Sequence, residues 1–418
     1  MKRNILIRLS VVIGILALTR SVSGVSSTDE QVKDLAQRYA QVESQLSRSV
    51  HYVKKENSDG GTTIEQAWFN GAGDLIKVAV ERTNSSGREL TEYFSPDFEQ
   101  YGPIFVLRRK ETAQPDGATQ VDESRRYFGS DGELIRELRK SGRFKPGEPL
   151  DTAHIPNVIV DLSEKAKGNQ NEQEKFDFDD PQKIAELLQQ SSPPETNPFA
   201  SVTGDSEKFR VIHRTASPDG RYAIALGFTK GKIDWETLKD PNSPGTYWKE
   251  ESAHVDPKYG KTVNYVVNLT TRRILGTTGC GYFGTRDSYN HRECEVFWSP
   301  DSKNFVELDS AKWNYLSCRA GRIMAGPKLL GTVDLGRYAE KTASGFLAKH
   351  KHPKYYGRVA IGLAGVNDDG MIDLTVGAGF LSEGQGEQDF DLTERIRLRE
   401  TPAGLRLETV SVRKSPQE

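Results

Sequence analysis

Residues 277–294, TTGCGYFGTRDSYNHREC, gather the residue types that most often do chemistry. Gly279, Gly281 and Gly284 spell G-x-G-x-x-G. That string cradles phosphate when it follows a strand and opens a helix whose first N–H groups face the ligand. Here TRDSYNHREC follows, then the strand-like EVFW, with no apolar helical stripe, so no phosphate or dinucleotide site is expected. Cys280, His291, Glu293 and Cys294 are all metal-ligating types. Zinc ligands usually recur at C-x₂₋₄-C or H-x₃₋₅-H spacing, and neither occurs here; His350 and His352 sit in a lysine-rich loop. A reactive thiol needs a base beside it and a group to orient that base. His291 lies near Cys294, but no such triad can be read, so the chain is expected to have no cofactor, metal or catalytic residue.

What remains for the two thiols is a bond to each other. Cys280 and Cys294 flank a 13-residue polar loop between two predicted strands. Closing a loop of that size stabilises a fold by about 3 kcal/mol in the chain-entropy account. The expectation is a Cys280–Cys294 disulfide, with Cys318 the odd thiol; Cys294–Cys318 is the rival pairing.

A disulfide requires an oxidising compartment, and the first residues point to one. Lys2 and Arg3 precede the apolar stretch Leu9–Leu18, and Val22 and Gly24 fit a signal-peptidase site, so residues 1–24 read as a signal peptide. The stretch is far shorter than the roughly 20 residues a bilayer span needs. Export to the periplasm or the extracellular space is expected, with no transmembrane span in the mature chain. Cleavage removes four basic residues and no acid, taking the formal charge from −2 to −6. Such a surface gives no electrostatic reason to bind nucleic acid.

The elements that must position these residues are mostly strands. The mature length of about 390 residues predicts two or three domains. A hydrophobic content of 35% is low, so wet-faced sheets or a solvated linker are expected. In residues 28–48, Val32, Leu35, Tyr39, Val42 and Leu46 recur at helical spacing, and the stripe should dock on the sheet that follows. QAWFNGAGDLIKVAVER (66–82) and RRYFGSDGELIRELRK (125–140) share one skeleton: aromatics, a glycine turn, then Leu-Ile. This predicts an antiparallel meander joined by tight hairpins. Residues 141–207, rich in Pro, Ser and Gly, read as a linker holding a short helix that starts at Pro181. The expected plan is mainly β with a few helices: a helix-plus-meander domain over 25–140, the linker, and a β-rich domain over 208–418.

Two tetrads mark that last domain, Ser217-Pro218-Asp219-Gly220 and Ser299-Pro300-Asp301-Ser302. Proline presets φ, aspartate bonds the turn backbone, and Gly220 takes the left-handed position. With VVNLTTRRILG and VFWSPDSKNFVEL, residues 210–310 resemble blades of TolB-like and WD40-like β-propellers, in which an SPDG turn joins two blade strands. The resemblance implies propeller-blade-like sheets and carries no catalytic residues. It does not extend beyond residue 318. The G-x-S-x-G nucleophile motif of propeller-containing serine peptidases is absent.

The reading that follows is a non-catalytic binding or scaffolding module with a protein or glycan partner. Loop aromatics are its expected contacts: Trp235, Trp248, Tyr282, Trp313 and Tyr355. One alternative is a hydrolase built on a carboxylate pair drawn from Asp219, Asp287, Glu293, Asp301, Asp368 and Asp369. Another is a carrier that shields a lipid under the N-terminal sheet. Asn84-Ser85-Ser86 and Asn268-Leu269-Thr270 match the N-glycosylation sequon, which matters in a eukaryotic secretory host.

Overall fold

The structure is a computed structural model that describes residues 28–96, 98, 102–129, 132–160, 180–212, 214–230, 233–235, 260–281, 293–311, 314–350, 359–382 and 386–415. The expected signal peptide lies outside the described residues. The chain is mainly β, and it divides into two compact units that meet in sequence at Ser201 and Val202.

In the first unit, β1 (Val50–Ser58), β2 (Gly61–Phe69), β3 (Leu75–Asn84), β4 (Gly87–Phe94), β5 (Phe105–Ala113), β6 (Thr119–Phe128), β7 (Leu134–Phe144) and β8 (Val158–Ile159) form one antiparallel meander, sheet I, in chain order. Tight turns set its register. Asn84 pairs with Gly87, and the Asn84 side chain accepts from the N–H groups of Ser86 and Gly87. Gly87 has φ 147°, and a Cβ there would lie 1.9 Å from the carbonyl oxygen of Glu111, so a larger residue would push β5 away. The two skeleton copies fold alike. Phe69 pairs with Leu75 and Phe128 with Leu134, each beside a register shift that re-aims the aromatic pair.

Alternation then gives sheet I two apolar faces. Phe94 and Phe105 are cross-strand partners on the face that meets α1 (Thr28–Gln45), through Leu35 and Val42. Tyr93 and Val106 are partners on the other face, which meets α2 (Pro181–Ser191) through Ile184, Ala185 and Leu188. Asp180 caps α2 by accepting from the N–H groups of Gln182 and Lys183, and Pro181 takes the first helical position. Much of the stretch expected as linker therefore belongs to this unit: β7 runs on to Phe144, β8 follows, and α2 is part of the core.

The second unit holds three four-stranded antiparallel meanders. Sheet II is β9 (Phe209–Val211), β10 (Tyr222–Phe228), β11 (Thr262–Asn268) and β12 (Arg273–Thr277). Sheet III is β13 (Glu293–Trp298), β14 (Asn304–Ala311), β15 (Asn314–Met324) and β16 (Lys328–Asp334). After helix α3 (Leu335–Lys349) comes sheet IV: β17 (Val359–Val366), β18 (Met371–Ser382), β19 (Gly386–Thr401) and β20 (Gly404–Lys414). Alternation along β14 places sheet III between the other two. Phe305 packs with Tyr222, Ile224 and Val266 of sheet II, whereas Val306 and Leu308 pack with α3 and sheet IV.

The docking of α2 is testable through neighbouring leucines. Leu188 is fully buried and Leu187 is 53% exposed. Leu188→Ala should lower the unfolding free energy by about 2–5 kcal/mol, and Leu187→Ala by less than about 0.5 kcal/mol. Denaturant unfolding of the full chain measures both; equal small losses would show that α2 is a tether and not a core helix.

Candidate functional site

Three turns carry most of the acids that could do chemistry. In the Ser217–Gly220 turn, between β9 and β10, the Ser217 hydroxyl donates to Asp219 Oδ1 (2.8 Å) and accepts from the Tyr222 N–H (3.0 Å). The Arg221 N–H also donates to Asp219 Oδ1 (3.0 Å), and the Arg221 guanidinium pairs with Oδ2. Between β13 and β14 the pattern repeats. The Ser299 hydroxyl donates to Asp301 Oδ1 (2.7 Å) and accepts from the Asn304 N–H (2.9 Å), and Lys303 supplies the cation at 2.8 Å. The fourth residues are left-handed, Gly220 at φ 66° and Ser302 at φ 61°.

Between β17 and β18 stands a third copy, Asn367-Asp368-Asp369-Gly370, whose Asp-Asp-Gly reads as hairpin chemistry in the sequence but not as kin to the other two turns. Gly370 has φ 80°, its N–H donates to the Asn367 carbonyl (3.0 Å), and the Met371 N–H donates to Asp369 Oδ1 (3.1 Å). Each sheet of the second unit thus has this turn between its first two strands. The turns are bonded in a row. The Asp219 N–H donates to the Ser302 hydroxyl (3.2 Å), and the Asp301 N–H to Asp368 Oδ1 (2.8 Å). The Asn304 amide donates to the carbonyls of Asn367 and Asp368, and Arg322 Nε donates to Asn304 Oδ1 (2.7 Å). Burial pushes the Asp301 carboxyl up, but Lys303, Ser299 and the turn N–H outweigh it and hold it below the usual carboxylate range. Asp219 and Asp301 have both carboxylate oxygens engaged, and Asp368 and Asp369 each hold a turn N–H through Oδ1.

The opening stretch reaches a second cluster, between sheets II and III. Glu307 is fully buried on β14, and the Asn264 amide of β11 donates to its Oε1 at 2.5 Å. The Cys294 thiol points at the same oxygen from 3.9 Å, and Thr278 and Cys280 also bond the carboxyl. Burial, the largest effect, pushes the Glu307 carboxyl up. Burial likewise pushes up the thiols of Cys280 and Cys318. A fully buried acid whose carboxyl is pushed up, beside the buried Cys280 thiol that is pushed up as well, offers neither a ready nucleophile nor a ready base.

The expected Cys280–Cys294 disulfide is not formed; all three cysteines are free thiols. The expectation treated 281–293 as a hairpin loop whose ends lie side by side. In fact β12 pairs with β11 and β13 with β14, so the loop passes from one sheet to the next. Its two ends are not cross-strand neighbours, and both thiols turn to the carboxyl between them. The rival Cys294–Cys318 bond is absent too; Cys318 sits on the opposite side of sheet III, in the core with α3.

The remaining candidates separate. Trp235 is 4% exposed; its indole N–H donates to the Glu207 carbonyl (2.8 Å), and the Arg210 guanidinium lies 4.7 Å from its ring. It is a packing residue and presents no ring to a partner. Trp248, Tyr282, Trp313 and Tyr355 lie outside the described residues, as do Asp287 and His291. His350 stacks on Phe346 at 4.1 Å. Among the described residues no three His, Cys, Asp or Glu side chains are arranged to hold a metal ion, and no helix is long and apolar enough to cross a membrane.

No protein-family model matches the chain, and no curated protein matches it by sequence. Among solved structures it is similar to the periplasmic gluconolactonase PpgL of Pseudomonas aeruginosa, at 10% identity over 87% of this chain and 95% of that one, with a TM-score of 0.18. It is also similar to a GH43_1 enzyme from Xanthomonas citri, at 10% identity over 90% and 96% of the respective chains, with a TM-score of 0.17. Neither likeness is close enough to assign a fold or a chemistry.

The thiol assignment can be counted. Alkylation of the denatured chain without reductant should add three labels by intact mass; one label would restore a disulfide. On the native protein Cys294, the half-buried thiol, should be labelled before Cys280 and Cys318.

Proposed function

We propose that this chain is a non-catalytic binding or scaffolding module that works outside the cytoplasm and engages a protein or glycan through its β surfaces. The observation that carries this reading is the commitment of Asp219, Asp301 and Asp369 to turn backbone. A glycosidase of the paired-carboxylate type needs one carboxylic acid and one carboxylate flanking a cleft, about 5–9 Å apart. Asp219, Asp301 and Asp369 are bonded to their own turns, and Glu307, its carboxyl pushed up by burial, is sealed between two sheets. The carrier alternative fares no better, because α1 and α2 fill the apolar areas on both faces of sheet I.

The far ends of β5, β6 and β7 carry exposed Arg108, Lys110, Asp122, Arg139 and Arg143. Such a surface suits a polar partner that can exchange hydrogen bonds and opposite charges. Placement outside the cytoplasm rests on Lys2, Arg3 and the apolar run of residues 9–18.

The test titrates residues 25–418 over a glycan array and immobilised envelope proteins, in parallel with a screen of aryl glycosides and esters. Saturable binding without turnover is expected. Turnover that disappears in Glu307→Gln or Asp301→Asn would replace this reading with a hydrolase.

A further inference from the structure

Glu394, in the middle of β19, stands apart from both clusters. It has no solvent exposure, and neither carboxylate oxygen has a hydrogen-bond partner among the described residues. Its cross-strand neighbours are Leu374 on β18 and Val412 on β20. Leu392 and Ile396 flank it on the same face, within the core that Leu335, Ala339, Ala343 and Leu347 of α3 help to close. Burial alone pushes its carboxyl up to about 8.

The titratable and charged groups around this core are few. By register Lys414 and Glu400 lie towards the ends of the same face, and both are exposed. Sheet III contributes Glu295 of β13, which is exposed, and Tyr315, Cys318 and Arg322 of β15, the last donating to the Leu398 carbonyl (3.2 Å) and lying 3.9 Å from Glu400. The thiol of Cys318 is kept protonated by burial, and Tyr315 is engaged with Glu340 of α3. Tyr338, also on α3, is bonded to Thr409. None of these groups bonds to Glu394. An ion at this position would have neither a donor nor water, so an ionised Glu394 and a closed core exclude one another.

The part of the cover best placed to yield is α3. Two of its four core residues above are alanines, and Gly345 meets nothing within 4 Å. Among the described residues its polar hold on β20 converges on Thr409. The Tyr338 hydroxyl lies 3.0 Å from Thr409 Oγ1 and accepts from the Thr409 N–H (3.0 Å), and Thr342 Oγ1 stands 3.4 Å from the same Thr409 oxygen. Thr409 pairs with Ile396, the next inward residue of β19 after Glu394. The hold and the carboxyl are therefore adjacent on one face.

We propose that Glu394 makes the seating of α3 pH-sensitive: release of its carboxyl proton to solvent is coupled to the lifting of α3 from sheet IV, which lets water reach the carboxylate. The closed form keeps the proton to higher pH than an open form, whose carboxyl has its ordinary value. Closure is thus favoured in full below that ordinary value, and the advantage is lost as pH rises towards 8. Higher pH adds no further opening once both forms are ionised.

Hydrogen exchange of α3 peptides, corrected for the intrinsic rate, measures the opening. Release of one proton predicts that the opening constant rises about tenfold per pH unit between about 5.5 and 8 and then levels. Peptides of α1 and β14 should show no such rise. Glu394→Gln should remove the slope, and Glu394→Leu, which keeps the core apolar, should remove it and close α3 more tightly. A slope that survives in either variant, or one shared equally by α3 and β14, would overturn the proposal; if the glutamine variant does not fold, the leucine variant decides.

Discussion

The second unit depends on one kind of bond, an aspartate or serine side chain holding the backbone of the turn it belongs to. A turn that joins two strands leaves N–H groups facing away from both ladders, and buried groups of that sort need partners. Asp219, Asp301 and Asp369 each take the N–H two residues on, and the left-handed fourth residue lets the chain reverse. The first two turns each have one more N–H to give. Asp219 gives its own to Ser302, and Asp301 gives its own to Asp368, so the turn of one sheet is fixed to the turn of the next. Stacked sheets otherwise meet through apolar side chains, which fix distance better than register. The bonded row supplies the register.

Within that frame the sheets tolerate polar groups that a plain sandwich would exclude. Asn264, Glu307 and Asp309 are all almost fully buried between or within sheets II and III. Burial of this kind is tolerable when the group is bonded or kept neutral. Glu307 meets the first at Oε1, which Asn264 bonds, and the second through a raised affinity for its proton. Glu394 meets only the second. The first unit handles its buried charge differently: Lys77 lies over the rings of Trp68 and Phe94 and reaches Glu92 at 2.7 Å.

Local pattern was enough for the strands, for α1 and for α2, because alternation, helical spacing and Pro181 are properties of short windows. The matched skeletons at 66–82 and 125–140 even predicted equivalent turns. The meander of sheet I was legible as well, its strands pairing in chain order, and what failed was the inference that Cys280 and Cys294 end neighbouring strands. The Cys280–Cys294 bond presupposed paired strands, and nothing near those cysteines says that β12 and β13 belong to different sheets. Trp235 read as a loop ring because its partner Glu207 is remote in sequence. The third turn, legible as a hairpin in Asp368-Asp369-Gly370, escaped notice as a copy of the other two because it lacks the Ser-Pro start, although its aspartate and glycine do the same work. Glu307 and Glu394 sit at inward positions of NFVEL and DLTERI, so strict alternation from Phe305 and from Leu392 and Ile396 was the signal that could have exposed them.

The claim that these acids serve the backbone is tested most directly by amide exchange at the turns themselves. If the row is built as described, the N–H groups of Asp219, Asp301 and Gly370 are protected to the same degree as those of β10 and β14. Exchange at the rate of an open surface loop, with the flanking strands still protected, would contradict it and leave the acids free for other work.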